Sequence, residues 1–220
     1  MKNIYAINGS PRRNKNTAQM LDKALEGVKA EFPDAQVERI NLFDLNFTSC
    51  KSCFACKRRG KYEGEYTGHC YLKDGLSPIL EKLKDADAII FGSPIYYRTI
   101  TGQMHSFYER FFFPYMQYKE GYPTLVEKKI PTACIYTMNV DEKEMLEGGY
   151  RQNMELWENF LNWYYSKPLI AYAFNTYQFD DYSKYICETF NEKDKAKYRA
   201  EQFPNDLQNA YELGQKLLKG

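Results

Sequence analysis

Five short apolar runs recur along this chain, and four of them are preceded by a helix-sized segment. The runs are "KNIYAIN" (2–8), "QVERINL" (36–42), "DAIIFGSPIYY" (87–97), "KIPTACIYTM" (129–138) and "PLIAYAF" (168–174). Between the first two, Leu21, Ala24, Leu25, Val28 and Phe32 fall at helical spacing from Thr17 onward. "LSPILEKLKDA", with Pro78 in a first turn, precedes the third run. A helix beginning near Thr101 and running through "GQMHSFYERFFF" precedes the fourth, and "NMELWENFLNWYY" precedes the fifth. "PNDLQNAYELGQKLL" closes the chain as a helix. Parallel neighbours need right-handed, helix-sized crossovers, so the alternation predicts an α/β, doubly wound, five-stranded parallel sheet of order 2-1-3-4-5.

Such a sheet binds ligands outside the carboxyl ends of its strands, near the switch point between strands 1 and 3. The loops at 9–17, 93–102 and 137–150 are therefore the places to look. With 220 residues, one domain spanning 1–220 is expected, carrying a cysteine-rich loop at 48–74 and a long, tyrosine-rich excursion at 175–200. Lys plus Arg number 30 against 29 acids, which leaves no global field for nucleic acid or an anionic membrane. No run approaches the length of a membrane span, and "MKNIYAINGSPRRN" turns polar too early for a signal peptide, so a cytoplasmic protein with small-molecule partners is expected.

"NGSPRRNKNT" follows the first strand and opens a helix, so backbone N–H groups and the positive end of the helix dipole converge there. Ser10, Asn16 and Thr17 can donate to a phosphate, and Arg12 or Arg13 can add charge. An ordinary loop with Thr17 as helix N-cap is the simpler alternative. The stretch is neither a Walker loop nor a dinucleotide GxGxxG. Across the switch point, "GSPIYYRTITGQMHSFYER" offers a proline-fixed backbone and two aromatic rings, a wall suited to a flat cofactor, unless Tyr96 and Tyr97 serve only as core or interface aromatics.

Taken together, "INGSPRRNKNT", "C..C..C", "FGSPIYY" and "TGQMHSFYER" make nearly the whole chain resemble the flavodoxin-like family of NAD(P)H-dependent FMN reductases and iron-sulfur flavoproteins. The resemblance implies non-covalent FMN. Ser10, Arg12, Asn16 and Thr17 would hold its phosphate. Pro94, Ile95, Tyr96 and Tyr97 would line the ring, and Thr137, Met138 and Asn139 would close the other side. Hydride from NADPH or NADH would pass through the flavin to a small acceptor such as free flavin, a quinone, or a nitro or azo compound, with no catalytic side chain required. A flavodoxin-type electron carrier is the non-enzymatic rival, although the acidic surface and TxTGxT loop of such carriers are missing. His69 and His105 lie in no nucleophile motif, which argues against a hydrolase. His105 reads as a surface or interface residue.

Of the six cysteines, Cys50, Cys53, Cys56 and Cys70 lie within "CKSCFACKRRGKYEGEYTGHC". Their spacing admits a four-iron cluster, as in the iron-sulfur flavoproteins, although the last gap is longer than that pattern. A zinc site, with His69 as another candidate ligand, and free thiols are the alternatives. Cys134 reads as a small core residue. The basic run of Lys51, Lys57, Arg58, Arg59 and Lys61 could be a solvated loop, could lower thiol pKa values or could meet the 2′-phosphate of NADPH. Finally, "FYERFFFPYMQY" holds too many aromatics for one buried face, which predicts an exposed interface and a homodimer or homotetramer.

Overall fold

The computed structural model describes residues 1–58 and 68–219. Strands β1 (Asn3–Asn8), β2 (Gln36–Asn41), β3 (Ala88–Tyr96), β5 (Thr132–Thr137) and β6 (Leu169–Ala173) form a parallel sheet in the order β2-β1-β3-β5-β6. This is the expected doubly wound order. The sequence pattern missed β4 (Thr99–Ile100), which folds back antiparallel on the end of β3. Two residues are too few to show a periodicity of their own.

Helices α1 (Asn16–Glu31) and α7 (Phe203–Lys216) cover one face. Helices α2 (Ser77–Lys84), α3 (Gly102–Phe112) and α5 (Tyr150–Tyr164) cover the other, while the short α4 (Glu142–Glu147) leads into α5. Because side chains alternate along a strand, each central strand feeds both layers. Ala6, Ala88, Ala133, Ala171 and Ala173 face α1 and α7, whereas Phe91, Tyr136 and Tyr172 face α3 and α5. Small residues on the first face let the helices sit close. An added Cβ at Gly27 would lie 1.9 Å from the Tyr211 carbonyl oxygen, and one at Gly214 would lie 1.9 Å from that of Ala24.

On the opposite face aromatic rings fill the gap, and here the interface expectation loses its premise. Phe107, Tyr108, Phe111 and Phe112 are all buried. Phe107 and Phe111 pack on Phe91 of β3, while Tyr108 and Phe112 stack on Trp157 and Tyr164 of α5 at 5.2 and 4.8 Å. A helix wedged between a sheet and a second helix is apolar on most of its circumference, so Phe107–Phe112 mark core rather than interface, while beyond the helix Phe113, Tyr115 and Met116 are half-buried and Tyr118 is exposed. The excursion at 175–200 also holds more structure than its composition suggests, since α6 (Glu192–Glu201) forms within and just beyond it.

The α1–α7 crossing brings backbone against backbone at Gly27 and Gly214, and it yields a test. Gly27→Ala or Gly214→Ala should lower stability by about 1–3 kcal/mol through overpacking. Urea unfolding measures this, and a midpoint unchanged from wild type would refute the close-contact account.

Candidate functional site

Three loops leave the carboxyl ends of β1, β3 and β5 and meet at the switch point. After β1, the buried Asn8 sets the turn: its Nδ2 donates to Asn41 Oδ1 (2.9 Å), and its Oδ1 accepts from the Ser10 N–H (3.0 Å). Ser10 Oγ in turn accepts from the Arg12 N–H at 3.1 Å. Helix α1 then starts with Lys15 at the N-cap position, no side-chain cap and no acid in its first turn. Its first N–H groups therefore keep their partial positive charge for a ligand. Thr17 is not the cap; it lies inside the first turn and bonds Thr137 Oγ1 at the end of β5 (2.7 Å).

The loop after β3 is locked to the first one. Thr101, the N-cap of α3, accepts from the Met104 N–H and donates to the Gly9 carbonyl (2.8 Å), while Ser93 Oγ accepts from the Thr101 N–H (3.1 Å). The β3–β4 hairpin turns on Tyr97 and Arg98, with φ of 49° and 67°. Two consecutive left-handed residues suit a tight hairpin but are strained without glycine. Asn153 of α5 steadies the turn by donating to the Arg98 carbonyl at 3.1 Å.

Ser10, Arg12, Asn16, Thr17, Pro94, Ile95, Tyr96, Thr137, Met138 and Asn139 line one cleft of about 120 Å³. Tyr97 departs from the expectation. It sits at the hairpin tip, fully exposed and outside the cleft, because its left-handed backbone turns the side chain to solvent. Asn139 brings a buried Oδ1 with no hydrogen-bond partner, an acceptor awaiting a donor.

Lys15, Thr176 and Gln178 also line the cleft, and sequence reasoning missed them. A strap formed by residues 175–185 crosses the first loop. Arg12 donates to the Gln178 carbonyl (2.5 Å), Asn16 donates to the Tyr177 carbonyl (3.0 Å), and Lys15 pairs with Asp180. Helix α6 pins the strap from behind. Arg199 donates to Asn16 Oδ1 (2.9 Å) and Gln19 Oε1 (2.8 Å), which turns the Asn16 amide so that its NH₂ faces the strap. Lys195, 2% exposed, donates to the Asn139 carbonyl (2.9 Å) and Asn175 Oδ1 (2.8 Å). The only sequence signal was a Lys and an Arg four residues apart in a polar segment. A larger groove of about 810 Å³ follows the edge strand β6, but Asp141, Glu142, Asp206 and Glu212 give it a mainly acidic lining, which disfavours an anion.

The cysteines lie elsewhere. Cys50, Cys53, Cys56 and Cys70 share a small pocket with Glu109, Arg110 and Phe113 at the C-terminal end of α3. Arg110 lies eight positions along α3 from Gly102, the first residue after the Thr101 cap, about 12 Å of axial rise. The Cys50 N–H donates to Glu109 Oε2 (3.0 Å), and burial raises the Cys56 thiol, partly offset by Lys57. Among the described residues no group of three or more His, Cys, Asp or Glu is placed to hold a metal ion. His69 meets Glu81 through Nδ1 (2.5 Å) and does not line the pocket that the four cysteines share. Lys57 is no solvated residue: its ammonium donates to the carbonyls of Phe113, Pro114 and Met116, closing the end of α3. Lys51 and Arg58 stay exposed, and Arg59 and Lys61 lie outside the described residues. Cys134 is buried against Tyr108 and Tyr136, and its pKa is pushed up to about 12 by burial. His105 is an exposed residue packed edge-on to Trp157.

Lys195 links this geometry to pH. Burial lowers its pKa to about 8, against opposing pulls from Cys187 and Glu144. Above that value the folded chain has released a proton that the unfolded chain keeps up to its ordinary lysine pKa, so folding stability attributable to Lys195 rises with pH through this interval. Urea unfolding of wild type and Lys195→Met at about pH 7 and about pH 9.5 should show wild type gaining on the variant at the higher pH. A pH-independent difference would contradict a depressed pKa.

Comparison with known proteins accords with this geometry. Residues 2–130 match the family described as NADPH-dependent FMN reductase. An iron-sulfur flavoprotein of Archaeoglobus fulgidus is 36% identical over 107 residues, covering 49% of this chain and 47% of the relative. Another, from Methanocaldococcus jannaschii, is 34% identical over 107 residues, covering 49% and 50%. The chain thus spans about half the length of these curated relatives. Among solved structures, an azoreductase from Bacillus anthracis superposes with a TM-score of 0.68 at 12% identity, covering 98% of this chain and all of that one. An NAD(P)H:quinone oxidoreductase from Methanothermobacter marburgensis gives 0.67 at 16%, covering 98% and 96%. At such identities the likeness is one of fold. With the family match covering more than half of its residues, the chain belongs to the NADPH-dependent FMN reductase family.

Proposed function

We propose that the chain is an FMN-dependent NAD(P)H oxidoreductase that passes electrons to a small acceptor. The observation that carries this reading is the pairing of an uncapped helix N-terminus with a flat wall across the switch point. The donor set suits a phosphate: Ser10, Asn16 and Thr17 offer neutral donors, and Arg12 adds a charge-assisted one. Pro94, Ile95 and Tyr96 offer the apolar face for a ring, and the unpaired Asn139 Oδ1 is an acceptor for an imide N–H.

When bound, FMN supplies a ring that takes hydride from NADPH or NADH and hands the electrons on. The residues bind, orient and exclude water. Arg12 and Asn16 now spend their donors on carbonyls of the strap, so seating a phosphate exchanges two neutral acceptors for an anionic one, which favours the exchange. At about 120 Å³ the cleft is narrower than ordinary ligand pockets of roughly 300–1,000 Å³, so the strap shifts outward as the site fills. Beside the cleft, Arg13, Phe179 and Tyr185 join Arg12 and the Lys15–Asp180 pair along a groove of about 480 Å³, a track of net positive charge and aromatic rings for the distal half of a nicotinamide dinucleotide.

A second reading adds an iron-sulfur cluster. It is favoured by four thiols lining one pocket beside a buried guanidinium, and the curated relatives carry the name iron-sulfur flavoprotein. The donor chemistry fits a four-thiolate cluster, although the sulfurs are not gathered around a single ion.

Titration of the protein with FMN, followed by steady-state oxidation of NADPH and NADH, tests the first reading. Arg12→Ala should weaken FMN binding by about tenfold or more, the size of one charge-assisted bond. Absence of flavin binding at micromolar FMN would remove the proposal, and flavin binding without NAD(P)H oxidation would favour an electron carrier. Arg13→Glu should raise the KM for NADPH more than that for NADH, and equal changes would discard the groove as a dinucleotide track.

A further inference from the structure

Arg110 is the least expected charge in the molecule. Its side chain is completely buried, at 0% exposure. Nη1 is well served, donating to Asp74 Oδ2 (2.5 Å) and to the Thr48 carbonyl (3.0 Å). Among the described residues, buried Nε and Nη2 have no hydrogen-bond partner. The guanidinium lines the pocket of Cys50, Cys53, Cys56 and Cys70, beside the Cys70 thiol. Buried donors are nearly always paired, and charged ones left unpaired carry the full desolvation penalty. Neutral thiols are only weak acceptors. The missing partner is therefore a stronger, anionic acceptor within reach of the cysteines.

Building on the second reading above, we propose that Arg110 is a positioning residue. It donates from Nε and Nη2 to the sulfur atoms of a four-thiolate iron-sulfur cluster and sets both the retention of that cluster and its reduction potential. The pocket's other charges agree with this division of labour. Asp74 neutralises the far side of the guanidinium, Glu109 is engaged by the Cys50 N–H, and Lys57 is engaged by carbonyls at the end of α3. Of the pocket's two lining cations Lys51 is exposed and Arg110 is buried, so Arg110 is the one whose remaining donors have only the weakly accepting Cys70 sulfur beside them. A thiolate cluster is anionic and becomes more so on reduction, and hydrogen bonds to its sulfurs are a recognised lever on potential. A buried cation at this position stabilises the reduced form, so its removal makes reduction harder.

The test uses the full chain, purified anaerobically and loaded with ferrous iron and sulfide. Iron and acid-labile sulfide per chain are measured, followed by a redox titration read by visible absorption. Circular dichroism and FMN titration check the fold and the cleft. Wild type should load iron and sulfide. Arg110→Leu should either lose the cluster or shift the one-electron equilibrium at least about tenfold toward the oxidised form, which corresponds to 59 mV. Arg110→Lys, which keeps the charge but not the two directed donors, should lose iron to a chelator several-fold faster than wild type. If Arg110→Leu does not fold, the lysine variant decides alone. A wild type that loads neither iron nor sulfide while still binding FMN would overturn this proposal and the cluster reading, and would leave the flavin reading standing. A cluster with the same potential and chelator resistance in wild type and the variants would overturn the role of Arg110 alone.

Discussion

The site depends on a short knot of backbone at the switch point. The Gly9 N–H donates to the Gly92 carbonyl (2.8 Å), and the Gly9 carbonyl accepts from Thr101, which also caps α3. An added Cβ at Gly9 would come within 3.0 Å of Met104 and 3.2 Å of the Gly92 oxygen; one at Gly92 would meet Leu21 at 2.7 Å. Glycine is thus demanded on both sides by close approach. Through this knot the loop after β1 and the loop after β3 are fixed to each other, and the start of α1 is set opposite the Pro94–Tyr96 wall. Without it the two walls of the cleft would hang on separate strands.

Helix α3 carries that geometry to a second place. Its N-terminus is tied to the knot by Thr101, its middle is clamped between Phe91 and the α5 aromatics, and its C-terminal end carries Glu109 and Arg110 into the cysteine pocket. Helix α3 thus links the switch-point knot to the cysteine pocket over about 12 Å of its axis. The sheet's division of labour permits this. Alanines on the α1–α7 side draw those helices in, and the larger residues on the other side give α3 an apolar bed.

Much of this was legible because local pattern and tertiary role agree. An apolar run bounded by glycine or proline, followed by helical periodicity, is what a buried parallel strand and its crossover require, so the sheet order follows from the pattern and the handedness of crossovers. Residues such as Ser10, Asn16, Pro94 and Met138 could be placed together because each belongs to the carboxyl end of a strand or to the connection that follows it, on the same sheet edge. Tyr97 could not. Its exposure follows from a two-residue hairpin whose backbone is left-handed, and nothing in "IYYRTI" announces that conformation. Lys195 and Arg199 were hidden for a different reason: they act across more than fifty residues of chain, from a helix too polar to show a face. The helical half of the aromatic run was misjudged because apolar density alone does not tell a helix buried on most sides from one that awaits a partner.

By itself the sequence determined the fold class, the strand order and the loops that meet at the switch point, because these rest on local periodicity and on chain connectivity. Only the tertiary structure decided which side chains face the cleft, that the strap and α6 hold its donors, and that the cysteines gather around a buried arginine at the far end of α3. Those outcomes depend on contacts between segments distant in sequence, where burial and hydrogen-bond pairing are settled by packing rather than by spacing.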